Sequence, residues 1–333
     1  MEVYILLMVL SLFVAKFGKN KAVYWGFFLV LMFFSTFRSM DVGGDTEYYR
    51  WAFEDTESVK GSTIKTYEFG YLFLNLLVFY FIQDYTVFLG VTSFLVLFPI
   101  FFFSSKYSKR CHEIVAFYVL LYNFNFSLCF IRQFIAISIL YGGYLICANT
   151  HKKKHLIIAT LLATLFHQTS IIMLVLLPFV KLKYNRKLVA AIIFFSFFIG
   201  RLNPFISIMG MFGITSFYSG DVAGEMVFTF TGFIMTTYFA YIAYISNEKP
   251  FLLYTMMVGL LFFNMLVFNT NLSRINWSLS IVQTVILANM TLLPSLKKNV
   301  VANKIFSYAY AVILYVYFVL ANQGEVVPYS FSF

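Results

Sequence analysis

Residues 86–104, TVFLGVTSFLVLFPIFFFS, contain no charged side chain, and runs like this recur along the whole chain. About 17–25 such residues carry an α-helix across a bilayer. A water-soluble fold of 333 residues could not bury so many. Charged residues make up 11% of the chain against 61% hydrophobic, whereas a soluble domain carries about a quarter of its residues as charges. The sequence therefore predicts an all-α, polytopic integral membrane protein of about 10–12 transmembrane helices, forming a single domain over 1–333. No polar stretch is long enough to hold a separate soluble domain.

The expected spans are 3–17, 22–38, 69–83, 86–104, 112–127, 132–149, 156–179, 188–202, 226–245, 251–268, 275–294 and 305–321. Acidic Glu2 rather than a basic segment precedes the first of them and no small-residue cleavage site follows it, so it reads as a retained span rather than a signal peptide. Cys111, Cys129 and Cys147 lie in or beside apolar segments without a C-x-x-C spacing. Neither a disulfide framework nor a zinc site is expected from them.

The net charge of +10 does not point to nucleic acid, because 17 of the 24 Lys/Arg fall in short patches between spans. These patches are Lys16–Lys21, Lys106–Arg110, Lys152–Lys154, Lys181–Lys187, Lys249 and Lys297–Lys304, the pattern of cytoplasmic loops. With those inside, 38–68 and 201–225 become large outer loops. Twelve full spans would leave two of the lysine patches outside. Half-helices within 69–104 and 156–180 remove that conflict, and non-helical backbone at membrane depth is tolerated where it lines a cavity.

Half of the fourteen acidic residues sit between Asp41 and Glu68. The same loop carries Gly43-Gly44-Asp45, suited to a tight turn with positive φ. It also carries Tyr48, Tyr49, Trp51 and Tyr67, aromatic faces of the kind sugars stack on. The alternative is a solvated acidic loop with no task beyond avoiding retention inside. Arg38, Arg132 and Arg274 stand at the predicted outer ends of spans. Each alone reads as a snorkelling or loop arginine. Three on one face suit a phosphorylated, membrane-embedded substrate, since the planar guanidinium matches phosphate oxygens two-pronged. His167 lies within an apolar segment, as a bonded core histidine or as a proton donor or acceptor. No metal-ligand spacing, nucleophile elbow, P-loop or dinucleotide fingerprint is present, so neither metal nor cofactor is expected.

Four stretches carry a family resemblance. FRSMDVGGDTEYY resembles the Arg…Gly-x-Asp-x-x-x-Tyr loop of the EpsG-like, Wzy-type polysaccharide polymerases, and YEFGYLFLNLL their Glu-x-Gly-Phe segment. FIRQFIAISI is similar to their Ile-Arg-Gln-x-Ile-Ala signature, and TLFHQTSIIML to their Phe-His-x-(Ser/Thr) segment. Order and spacing agree over about residues 1–180, while the second half matches in pattern, with Arg274 near a late arginine. Phe69 stands where a proline is common.

The resemblance implies a metal-independent glycosyltransferase of the bacterial inner membrane, acting on its periplasmic side. Such a protein moves a growing glycan from undecaprenyl pyrophosphate to a hydroxyl of the next lipid-linked repeat. O-antigen polymerisation suits the length and motifs, and capsule or exopolysaccharide polymerases share them. A lipid-linked glycan flippase is the rival from another class. The implied partners are the lipid-linked oligosaccharide, the bilayer and a chain-length regulator protein, with no nucleic acid. For this chemistry Asp45, Glu68 and His167 are the expected acid–base groups. Arg38, Arg132, Gln133, Arg274, Tyr48 and Tyr49 are the expected ligands of pyrophosphate and sugar.

Overall fold

A computed structural model describes residues 1–54, 67–202, 230–266, 274–290, 292–293 and 299–332. The expectations for 55–66, including Asp55 and Glu57, and for 203–225 fall outside the described residues. The protein is an all-α polytopic membrane protein. Its helices are α1 Glu2–Phe17, α2 Lys21–Thr36, α3 Thr46–Glu54, α4 Phe69–Phe81, α5 Tyr85–Tyr107, α6 Cys111–Leu120, α7 Asn123–Cys129, α8 Ile131–Thr150, α9 Lys153–Thr164 and α10 Arg186–Arg201. They continue with α11 Phe230–Ile245, α12 Pro250–Leu266, α13 Trp277–Ser280, α14 Val282–Asn289 and α15 Val300–Leu320. Among the described residues there are also two 3₁₀ segments, Gln168–Val180 and Arg274–Asn276. Among the described residues the only β pairing is the pair of isolated bridges Arg38–Phe331 and Ser246–Leu292.

Among the described residues, three α-helices are long and apolar enough to cross a bilayer unaided: α5, α8 and α15. They occupy different depths of the bundle, since 83% of the apolar window of α8 is buried but only 28% of that of α15. Hydroxyls tie the central helices together. Ser138 donates to the Val96 carbonyl at 2.7 Å, Ser104 meets Tyr141 at 2.6 Å, and Ser35 meets Ser93 at 2.6 Å. Each such bond between membrane helices contributes about 0.6 kcal/mol.

The expected half-helices are found in part. Segment 156–180 is broken: α9 runs 12 residues, about 18 Å, and the chain bends at His167 (φ −155°, ψ 110°) into the 3₁₀ segment. Neither piece is a full-length α span. In 69–104 only the first part is short, 13 residues in α4, while α5 is a continuous helix of 23. The predicted single span 112–127 is instead two helices. Tyr122 takes a left-handed conformation (φ 66°) between α6 and α7, a costly geometry for a bulky residue. Its hydroxyl donates to the Gln323 carbonyl of the C-terminal tail at 3.2 Å.

Candidate active site

The loop leaving α2 is held from two sides. Arg38 is 2% exposed; its guanidinium donates to the Ser35 carbonyl and, at 3.1 Å, to that of Leu128. The tail lies across the same loop, with Ser39 N–H donating to Ser330 O at 2.9 Å, Gly43 N–H to Glu325 O at 2.9 Å and Gly44 N–H to Gly324 O at 3.1 Å. Gly43 has φ +96°, and a Cβ there would sit 2.9 Å from the Leu128 carbonyl oxygen. Only glycine fits both constraints, which is the reason for the Gly-x-Asp turn.

The turn delivers Asp45 to the start of α3. That helix buries Thr46, Tyr49, Ala52 and Phe53 along one face, the i, i+3, i+7 pattern of an amphipathic helix. Phe53 packs on Phe88 with ring centroids 5.2 Å apart, and Tyr85 donates its hydroxyl to Thr46 O at 3.0 Å. Tyr48 (59% exposed) points out and Tyr49 (4%) points in.

Glu68 precedes α4. Two residues on, Gly70 N–H donates to the Leu165 carbonyl at 2.7 Å, and a Cβ at Gly70 would lie 2.8 Å from that oxygen. The start of α4 therefore docks on the break between α9 and the 3₁₀ segment. Glu68 Oε1 accepts the Gln168 N–H at 3.3 Å and lies 3.6 Å from His167 Nδ1. Its Oε2 accepts from Arg132 Nη1, in the first turn of α8. A carboxylate at the free N–H groups opening a helical segment is also favoured by that segment's dipole. Burial alone would raise the Glu68 carboxyl. The neighbouring His167 imidazole and the Arg132 charge outweigh burial and hold it at about 2.

Arg132 is stacked among three tyrosines, its guanidinium carbon 4.7 Å from the Tyr67 ring centroid, 5.8 Å from Tyr71 and 6.0 Å from Tyr49. Asp45, Tyr48, Tyr49, Tyr67 and Arg132 line one cavity of about 300 Å³. Asp45 is pushed above the usual carboxylate range by burial and by the neighbouring Glu325, against the opposing charges of Arg274 and Arg132. Arg274 rests on Phe130, 4.7 Å from the ring, and its carbonyl accepts from Gln133 Nε2 at 2.8 Å.

The structure thus brings Asp45, Tyr48, Tyr49 and Arg132 together around one space, with Arg274 electrostatically in reach. Glu68 and His167 stand behind Arg132. Gln133 braces the backbone of Arg274. Arg38 does not line the cavity; its guanidinium faces backbone carbonyls. Among the described residues no group of three His, Cys, Asp or Glu side chains could hold a metal ion.

Sequence reasoning missed Glu325. A Cβ on Gly44 would lie 2.9 Å from Glu325 Oε2, so this carboxylate adjoins the Asp45 turn. Its backbone is left-handed, φ 53°, which in a non-glycine residue often marks a functional constraint. The available signal was its place as the one acidic residue after Glu248.

A family model described as the EpsG family matches residues 21–331. The chain belongs to the EpsG family. No curated protein and no solved structure matches it. The EpsG match extends through the second half of the chain, where motifs were thin, and includes Arg274 and Glu325 as well as the Gly-x-Asp turn. Membership makes this a membrane protein of polysaccharide-polymerase type, a glycosyltransferase-like polymerase.

Proposed function

We propose that this EpsG-family protein polymerises lipid-linked oligosaccharide repeats of the O-antigen type, on the periplasmic side of a bacterial inner membrane. One observation carries this reading: a single cavity holds a tyrosine-stacked arginine, a carboxylate with raised proton affinity and further tyrosine faces. In the proposed step the acceptor hydroxyl attacks the anomeric carbon of the donor sugar. The bond from that carbon to the pyrophosphate oxygen breaks, and the hydroxyl proton passes to Asp45. Undecaprenyl pyrophosphate leaves with its added charge facing Arg132 and Arg274, donors fixed in advance where charge develops. Tyr48 and Tyr67 offer stacking surfaces to sugar rings, and Tyr49, buried against Tyr71 and Arg132, shapes the cavity wall. His167 stands with Glu68 behind Arg132, and Arg38 holds the loop that carries Asp45. A chain-length regulator protein is proposed as a partner.

Among the expected acid–base groups, Asp45 is the best base. A catalytic base works best with a pKa near the operating pH. Glu68, held at about 2, is a permanent counter-charge that orients Arg132. The lysine-rich end of the molecule supports the orientation. Helix α1 carries Tyr4 near its start, whose hydroxyl donates to the Val326 carbonyl next to Glu325, and Lys16 in its last turn. The cavity therefore lies at the end opposite the lysines, the outer one by the positive-inside rule.

A deletion strain tests the function. The expected glycan profile loses its long chains but keeps a single repeat attached to its acceptor. Loss of every surface repeat would instead assign flipping. The role of Glu325 is tested by Glu325→Gln. Asp45 must be ionised to act, so activity falls as pH drops through its pKa. Removing the neighbouring negative charge lowers that pKa, and the acidic limb of the rate–pH profile is expected to move to lower pH. An unmoved limb would separate Glu325 from the chemistry.

A further inference from the structure

A second cavity, of about 270 Å³, lies at the lysine-rich end of the bundle and is lined by Leu12, Ala15, Lys16, Glu113, Lys304 and Tyr308. Its walls are α1 and α15 and its floor is the first turn of α6. At the opposite end these two walls are joined, Tyr315 donating its hydroxyl to the Tyr4 carbonyl at 3.1 Å. The space is therefore a cleft between two helices that meet at one end and part at the other.

The floor carries Glu113, buried at 7% exposure, which alone would repel an anion. Its charge is already taken up. Lys304 Nζ reaches both carboxylate oxygens, at 2.7 and 2.6 Å, and Tyr308 donates to one of them at 3.2 Å. Lys16 projects into the same cleft and forms no ion pair among the described residues; its ammonium lies 5.1 Å from the Phe17 ring. The charges of Lys19, Lys304 and Arg110 also converge on His112 at this end. The local charge is positive after Glu113 is neutralised.

Beside the cleft, both walls present apolar side chains outward: Phe13 at 49% and Val9 at 52% exposure on α1, Ile305 at 66% and Val301 at 69% on α15. A soluble anion has no use for such flanks. A molecule with an anionic head and hydrocarbon tails matches both features, and basic pockets between membrane helices bind anionic lipid headgroups. We propose that the cleft between α1 and α15 seats the headgroup of an anionic phospholipid, with Lys16 facing its phosphate and the acyl chains lying along Phe13 and Ile305. The site is remote from Asp45 and independent of the polymerase reading.

The test is native mass spectrometry of the full chain in detergent, titrated with phosphatidylglycerol or phosphatidylcholine. Phosphatidylglycerol is expected to bind preferentially as one tight adduct. Lys16→Gln is expected to weaken that adduct about fivefold, about 1 kcal/mol, the contribution of one lysine near an anionic lipid. Lys181→Gln, in another basic patch, is expected to leave it unchanged. Lys16 has no buried partner, so the variant is expected to fold, and an unchanged melting temperature checks this. Equal binding of the two lipids, equal loss in both variants, or displacement by inorganic phosphate at millimolar concentration would each overturn the proposal.

Discussion

Arg132→Ala is expected to stop chain extension while the protein remains in the membrane at normal levels. The arginine is the charged wall of the cavity and is held by Glu68 and three tyrosine rings. Removing a charged partner from a desolvated anion costs about 2–5 kcal/mol, a loss of about 30-fold to a few thousand-fold. The change also strips Glu68 of its cation, so loss of fold must be told from loss of activity. Arg132→Lys serves that purpose, because it keeps a positive charge near Glu68. It loses the planar fork and the stacking on Tyr67, and is expected to extend chains poorly as well. Glycan ladders read beside immunoblots of membranes decide the matter. Full-length chains from a normally expressed Arg132→Ala protein would reduce the residue to a packing role.

The second large effect is expected at Asp45. Asparagine keeps the size and the hydrogen-bonding reach of the side chain but cannot take a proton. Asp45→Asn should therefore still bind lipid-linked repeats and extend them about 10²–10⁴-fold more slowly, the usual contribution of a positioned base. The purified protein is expected to work in EDTA without added nucleotide sugar. Binding and single-turnover extension measured on the same preparation separate the two steps. An undiminished rate would remove Asp45 as the base. Lost binding with an unchanged rate per bound substrate would make it a sugar ligand.

The sequence by itself determined the fold class, because long uncharged runs can satisfy their backbone in a bilayer only as helices. It also determined the local parts of the site. The Gly43 turn, the Glu68-x-Gly70 start of α4 and the break at His167 are each written within a few residues. The positive φ of Gly43 is a short-range demand, whereas the close approach of Gly43 to the Leu128 carbonyl and of Gly70 to the Leu165 carbonyl is set across the fold. Arg38 and Arg132 show where local reading ends. Both are arginines at the edge of apolar segments, and nothing in their neighbours separates them. Tertiary structure turns Arg38 onto the carbonyls of Ser35 and Leu128, where backbone acceptors surround its charge, and seats Arg132 between Glu68 and the tyrosines. Glu325 belongs to the same class. It sits 280 positions from Asp45 in the chain and arrives there because the tail bonds to the loop after α2 and to the carbonyl-seeking hydroxyls of Tyr4 and Tyr122. The left-handed Tyr122 touches that tail as well, through its hydroxyl. Contacts between segments remote in sequence leave no periodic trace in either one, so the meeting of Asp45, Arg132, Arg274 and Glu325 was decided only by the folded chain.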